Sequence, residues 1–305
     1  MTTRRELLRA TVAGALATRL AMPSFAGTTA DPQRLLGVQL WSVNDALGRD
    51  FEGTLRALGG LGFRRVEAAG WQKRPPEQFR RAVERAGLHC DSAHFGMEAL
   101  AADAAGVASQ VRDAGCEYLI CASPLAPAPL AADVEWVIAI MRAMTLDAWK
   151  HNAELLNRAA HAAAQAGVKF GYHNHVAEFA LYGGRRGYDV LLAETDPAQV
   201  KLELDVAWAV AAGQDPVALI EELRARIVRL HLKDVVVEPP PGQIGQDFRT
   251  AAPGSGVVDW KPLLRAANAA AIPGAYLEVE APYRRSPLED LASGRRFLER
   301  TLAAL

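Results

Sequence analysis

The chain has 305 residues, half of them hydrophobic, with 34 Lys and Arg against 35 Asp and Glu and a formal net charge of −1. That balance lacks the basic surplus of a nucleic-acid binder, and three cysteines are too few, and odd in number, for a disulfide framework. The length suits a leader plus one barrel-sized domain.

Residues 1–26 read as a targeting peptide. Arg4 and Arg5 precede Leu7-Leu8, an Ala-rich apolar stretch runs from Ala10 to Met22, and Ser24-Phe25-Ala26 offers small residues for cleavage. That order is the twin-arginine type of signal. The twin-arginine export machinery is therefore an expected partner, and the periplasm or another exported location the expected destination. The apolar stretch is too short and weak for a stable membrane span. Residues 27–35 read as a linker and 36–305 as the catalytic domain. Removing residues 1–26 takes away four Arg and one Glu, which leaves the mature chain at −4.

From Leu36 onward, strands and helices alternate. Leu36–Trp41 reads as the first strand, with a helix near 51–61. Phe63–Glu67 is the second, followed by a helix over 76–86 that Gly87 ends as a C′ glycine should. His89–His94 is the third strand, followed by an Ala-rich helix, and Glu117–Cys121 is the fourth. A Pro/Ala loop from Ser123 to Ala132 precedes a long helical stretch ending at Gly167. The remaining strands lie near 168–173, 200–205, 227–232 and 275–279, with helices near 187–195, 215–225, 259–270 and 287–304. Eight such units predict a single (β/α)₈ TIM barrel. No GxGxxG follows the first strand, so nothing points to a dinucleotide site. Pro239-Pro240-Pro241-Gly242 and Gly254-Ser255-Gly256 punctuate a loop after strand seven that is expected to cover the barrel mouth.

Six of these runs end in a polar, metal-competent residue: Glu67, His94, the His173-Asn174-His175 group, Asp205, His231 and Glu278. In a parallel barrel the strand ends converge on one mouth. Alternation puts His173 with His175, Glu203 with Asp205, His231 with Lys233, and Glu278 with Glu280 on shared faces. Imidazole and carboxylate with open positions for substrate suit one divalent ion, Mn²⁺, Mg²⁺, Co²⁺, Fe²⁺ or Zn²⁺.

The sequence resembles the sugar phosphate isomerase/epimerase family, the xylose-isomerase-like TIM barrels. The likeness is carried by Gly37-Val38-Gln39-Leu40-Trp41-Ser42-Val43, by Tyr172-His173-Asn174-His175 with Glu178-Phe179, and by Leu202-Glu203-Leu204-Asp205-Val206-Ala207-Trp208. His231-Leu232-Lys233-Asp234 and Gly254-Ser255-Gly256-Val257-Val258-Asp259-Trp260 complete it. The resemblance implies metal ligands at the ends of strands five to eight. Asp205, His231 and Glu278 match the last three. Strand five carries His173 where many relatives carry Glu, so His173 or Glu178 is the expected fourth ligand. It also implies that the paired acid–base glutamates of ketose epimerases are reduced here to Glu278. Lys233, His175 and Glu280 are then the further catalytic candidates. Lys233 would act with a pKa lowered by burial and a nearby metal. Gln39, Trp41, Glu67, His94, Asn174 and Trp208 are the expected substrate-binding residues, with Trp41, Trp208 and Phe95 offering rings for a sugar.

Such a site abstracts the proton next to a sugar carbonyl through an enediolate. Reprotonation gives isomerisation or epimerisation, and expulsion of a β-group gives elimination, as in a dehydratase or a 3-keto-glycoside-cleaving enzyme. A small-molecule sugar is the expected partner, and a homo-oligomer is compatible with the sequence. Two rival readings are a metal-dependent endonuclease on the same fold, disfavoured by the acidic balance, and a non-catalytic periplasmic sugar-binding protein.

Overall fold

A computed structural model describes residues 36–237, 239–240, 243–245 and 248–305. The expected leader and linker lie outside the described residues. Eight parallel strands close into one barrel. They are β1 (Leu36–Gln39), β2 (Arg65–Ala69), β3 (His89–Phe95), β4 (Tyr118–Cys121), β5 (Lys169–His173), β6 (Val200–Asp205), β7 (Ile227–Leu232) and β8 (Ala275–Leu277). Each pairs with its sequence neighbours, and β8 pairs with β1, which leaves no open edge.

The helices expected between the strands are present: α1 (Phe51–Gly60), α2 (Pro76–Arg85), α3 (Met97–Asp113), α4 (Leu146–Gln165), α5 (Gly187–Glu194), α6 (Pro216–Leu223), α7 (Trp260–Ala269) and α8 (Pro287–Ala303). Their starts follow local chemistry. Asp50, Thr145 and Ser286 cap α1, α4 and α8 by accepting backbone N–H bonds, and proline opens α2, α6 and α8. Gly87 and Gly167 follow α2 and α4 with φ of 72° and 78°, the left-handed turn that ends a helix. The three cysteines are free and buried. Among the described residues no helix is long and apolar enough to cross a membrane.

Two strands, β1 and β8, stop short of their expected C-terminal ends, and both differences shape the mouth. β1 stops at Gln39, and Leu40–Val43 turn as a 3₁₀ helix because the Gln39 side chain accepts from Trp41 N at 3.0 Å. β8 stops at Leu277, so Glu278 and Glu280 lie just beyond the ladder; a Glu278 N bond to Leu232 O at 3.3 Å still anchors the segment. After β7 the loop begins with Asp234–Val235 paired antiparallel to Thr250–Ala251. Glu238, Pro241, Gly242, Gln246 and Asp247 of that loop lie outside the described residues, and so does that part of its expected covering role.

Candidate metal centre

Register brings the strand-end side chains together. Asp205 is paired with His231, His173 with Glu203, and Gln39 with Glu67. Two overlapping groups result, His94, His173, Glu203 and His231 in one and Asp205, His231 and Glu278 in the other. Within each, the donor atoms all lie within 4.8 Å of one another.

In the first group three imidazoles surround one carboxylate oxygen. Glu203 Oε1 lies 2.6 Å from His94 Nε2, 3.1 Å from His173 Nδ1 and 3.0 Å from His231 Nε2. Glu67 Oε2 lies 2.6 Å from His94 Nε2, and Gln39 Nε2 donates to that oxygen at 3.3 Å. Burial works against a charged His94, but Glu67 and Glu203 outweigh it and raise its pKa to about 9. Burial dominates at His173 and, with the His231 charge, lowers it to about 4.

In the second group His231 Nδ1 is 2.9 Å from Glu278 Oε2. Lys233 Nζ stands 3.0 Å from Asp205 Oδ2, 2.9 Å from Glu278 Oε2 and 2.9 Å from Glu280 Oε1, and lies over the Trp208 ring. The lowered Lys233 pKa is an expectation for the metal-bound site; in the metal-free protein the balance runs the other way. Burial does pull it down, but Asp205, Glu278 and Glu280 outweigh burial and hold the ammonium well above its ordinary value. Metal-competent atoms here are buried without a directed hydrogen bond: Glu67 Oε1, Glu203 Oε2, Asp205 Oδ2 and His231 Nε2. Imidazole nitrogens and carboxylate oxygens held so close, some of them unsatisfied, fit a divalent cation.

Several sequence expectations change. Glu178 is turned away from both groups: one oxygen accepts Tyr172 OH at 2.6 Å and the other accepts His175 N at 3.0 Å. Burial raises its pKa to about 7. His173, not Glu178, is the strand-five side chain in the cluster. β5 ends at His173, and the His175 ring just beyond it meets the His173 ring edge-on at 4.9 Å. It also meets Trp136 edge-on at 4.9 Å, and burial lowers its pKa well below the ordinary value. Asn174 is not open to substrate, since its amide is engaged with the Asp205 backbone at 3.1 and 3.5 Å. Trp208 is buried beneath Lys233, and Phe95 packs edge-on against Trp71, whereas Trp41 is 54% exposed. Glu67 and His94, expected at the substrate, belong to the imidazole–carboxylate cluster. Glu203 joins the cluster without being among the expected ligands; its place two residues before Asp205, on the same strand face, is the sequence signal for it. A cavity of about 320 Å³ is lined in part by Glu280, Arg249, Arg284, Arg285 and Asp290; of the residues around Lys233, Glu280 is the one that reaches it.

With this geometry in hand, comparisons define the relationships. Residues 55–301 match the family described as xylose isomerase-like TIM barrel. An inosose dehydratase of Lacticaseibacillus casei is 27% identical over 170 residues, 52% of this chain and 56% of that protein; the chain thus spans about half the length of this curated relative. A sugar phosphate isomerase/epimerase of Parabacteroides distasonis has a similar structure, with a TM-score of 0.70, 23% identity, and coverage of 91% of this chain and 98% of that one. A 3-keto-D-glucoside 4-epimerase of E. coli aligns with a TM-score of 0.62 and 16% identity, covering 87% and 99%. At those identities the structural likeness speaks for the fold alone.

Proposed function

The chain belongs to the xylose isomerase-like TIM-barrel family, and from that premise we propose that it is a divalent-metal-dependent enzyme acting on a keto-sugar. It removes the proton α to the carbonyl and returns a proton elsewhere, as sugar isomerases and epimerases do. The observation that carries this reading is Lys233 set among Glu278, Glu280 and Asp205, next to the metal-competent groups.

Glu280 is the member of that set with a partly open side chain and a face on the cavity. Burial raises its pKa against the pull of Lys233, which makes it the stronger proton acceptor. Lys233, held protonated, donates to the substrate oxygen that gains charge as the proton leaves. His175 stays a neutral imidazole and is the candidate for moving a proton on the Trp136 side. Trp41 offers an exposed ring for a sugar face. His173, His231, Asp205 and Glu278, with His94 and Glu203 adjoining, are the residues that would hold the cation. When bound, a divalent cation supplies Lewis-acid stabilisation to carbonyl and hydroxyl oxygens.

A second reading, elimination of a β-hydroxyl or β-glycosyl group, is favoured by the likeness to inosose dehydratase. It uses the same proton abstraction and differs in what leaves. With residues 1–26 read as an export signal, a free or 3-keto sugar or glycoside fits better than a sugar phosphate.

The test is incubation of the metal-loaded protein with keto-sugars and 3-keto-glycosides in D₂O. Carbon-bound deuterium in an intact sugar supports the isomerase or epimerase reading. Release of water or aglycone supports the lyase. Tight sugar binding with neither outcome would establish a non-catalytic sugar-binding protein instead.

A further inference from the structure

We infer that Cys90 and Cys116 form a disulfide when the folded chain meets a disulfide oxidant, and that Cys121 stays a free thiol. The inference stands apart from the keto-sugar reading. It takes from the export reading only the compartment in which such an oxidant is met.

The fold sets the two sulfurs side by side. Cys116 Sγ donates to Cys90 Sγ at 3.5 Å. Both side chains are buried, and both are free thiols in this structure. Local structure explains the meeting. Gly115, with φ of 78°, turns the chain after α3, and Gly115 N and Cys116 N bond to Arg112 O and Val111 O at 2.8 and 3.1 Å. Cys116 is thereby fixed between the end of α3 and the start of β4. Cys90 lies near the start of β3. Ser92 is paired with Tyr118, and Glu117 N donates to Asp91 O at 3.0 Å. Carried back by two residues, that register puts Cys90 opposite Cys116.

Neighbouring strands lie about 4.8 Å apart. That spacing falls inside the range of about 4.4–6.8 Å that a disulfide spans between α-carbons. The two sulfurs must approach by about 1.5 Å to reach bonding distance.

The third cysteine is placed to stay out. Cys121 ends β4, five positions beyond Cys116, about 16 Å along the strand at about 3.3 Å per residue. Its thiol donates to Ser123 O at 3.4 Å, and burial pushes its pKa up to about 12. The odd count of cysteines thus resolves into one pair and one thiol with no sulfur partner.

The step balances. One thiolate of the pair attacks oxidised glutathione, and a glutathione thiolate leaves. The second protein thiolate attacks the protein sulfur of that mixed disulfide, and the other glutathione thiolate leaves. The protein gives up two electrons and two protons, and the oxidant takes them up as two thiols. The hydrogen bond from Cys116, together with burial, holds Cys90 well above the ordinary thiol value. Exchange is therefore slow at neutral pH and quickens in alkali. The bond closes residues 90–116, which carry most of β3 and all of α3, into a loop. Such a closure restricts the unfolded chain and stabilises the fold.

The full-chain protein, reduced and freed of reductant, is kept native with oxidised glutathione for hours at about pH 8.5. It is weighed, then denatured, alkylated and digested without reductant. We expect an intact mass lower by about 2 Da, one alkylated cysteine in place of three, and a peptide joining Cys90 to Cys116. C121S should form the same bond, and the oxidised protein should unfold at a higher denaturant concentration than the reduced one. Three alkylated cysteines, a mixed disulfide that persists, or a bond to Cys121 overturns the inference. An unfolding midpoint that does not rise overturns the stabilising role. The wild-type peptide map decides by itself, so poor folding of C121S changes nothing. None of these outcomes touches metal binding or turnover, which leaves the keto-sugar reading to its own test.

Discussion

Lys233 Nζ and Glu278 Oε2 lie 2.9 Å apart at the mouth of the barrel, the lysine wholly buried and the glutamate nearly so. Each fixes the charge of the other. Burial would raise Glu278, but Lys233 and His231 hold it well below the usual carboxylate range. Burial would lower Lys233, but Asp205, Glu278 and Glu280 hold it well above its own. The pair therefore keeps a fixed positive donor next to the candidate proton acceptor Glu280.

Replacing that donor should be severe. Lys233→Met leaves Asp205, Glu278 and Glu280 facing one another without a counter-charge. Breaking a buried pair costs about 3–5 kcal/mol, so denaturant unfolding should show a clear loss of stability. Turnover of the true substrate should fall at least about 10²-fold, while Mn²⁺ binding persists. Near-normal turnover in a folded variant would remove Lys233 from the chemistry.

His175→Ala tests the other proton carrier. The ring contacts Trp136 and His173 and lies outside both metal-competent groups. Metal content should be unchanged and turnover should drop at least about 10²-fold. Full activity would leave proton return to Glu278, Glu280 or Glu67.

Glu178→Gln separates the two strand-five candidates. Both Glu178 oxygens are engaged by Tyr172 and His175 N, so metal content should match wild type. Its pKa of about 7 lies above the ordinary 4.5. The folded state therefore favours the protonated acid. Its stabilisation is present below the ordinary value and is lost as pH rises through about 7. The Gln variant should show a flatter stability profile between pH 5 and 8. Loss of bound metal in this variant would return Glu178 to the ligand set.

Much of this was legible in the sequence because barrel strands are short, and a polar residue at the end of an apolar run is easy to see. The eight units and the convergence of His173, Asp205, His231 and Glu278 follow from that pattern. The depth of the cluster does not. Alternation put Glu203 on the Asp205 face, but the register shift beside Glu203 depends on how β6 meets β7. The engagement of Glu178 needed the Tyr172 hydroxyl, which alternation places on the opposite face from His173. The motif His231-Leu232-Lys233-Asp234 and the motif Gly254 to Trp260 read as separate signatures. Asp234 joins them, accepting from Gly254 N at 2.9 Å and from Gly256 N, Val258 N and Trp260 Nε1 at 3.0 Å. A Cβ on Gly256 would meet Val235 O at 2.2 Å, which explains the glycine there.

The reading of residues 1–26 as an export signal carries its own test. Arg4→Lys with Arg5→Lys should stop export, and mass spectrometry of the exported wild type should find the first ~26 residues removed. Export of the double variant at wild-type level would refute the twin-arginine reading.

The last prediction concerns pH in the metal-free protein. His94 faces the carboxylates of Glu67 and Glu203, and the rings of His173 and His231 pack against it at 5.1 and 5.2 Å. Its pKa of about 9 lies above the ordinary 6.5. The stabilisation from its protonated ring is thus complete below about 6.5 and disappears as pH rises through about 9. Glu203 works in the other sense. Burial would raise it, but the His231 and His94 charges hold it well below its ordinary value, and its contribution is lost only in acid. With chelator present, the wild-type unfolding free energy should therefore fall between pH 7 and pH 9.5 relative to that of His94→Gln, by on the order of a few kcal/mol. Saturating Mn²⁺ should offset that fall, because ligation requires deprotonated imidazoles and affinity rises with pH. Parallel profiles for wild type and variant in chelator would show that the His94 charge is not held by Glu67 and Glu203.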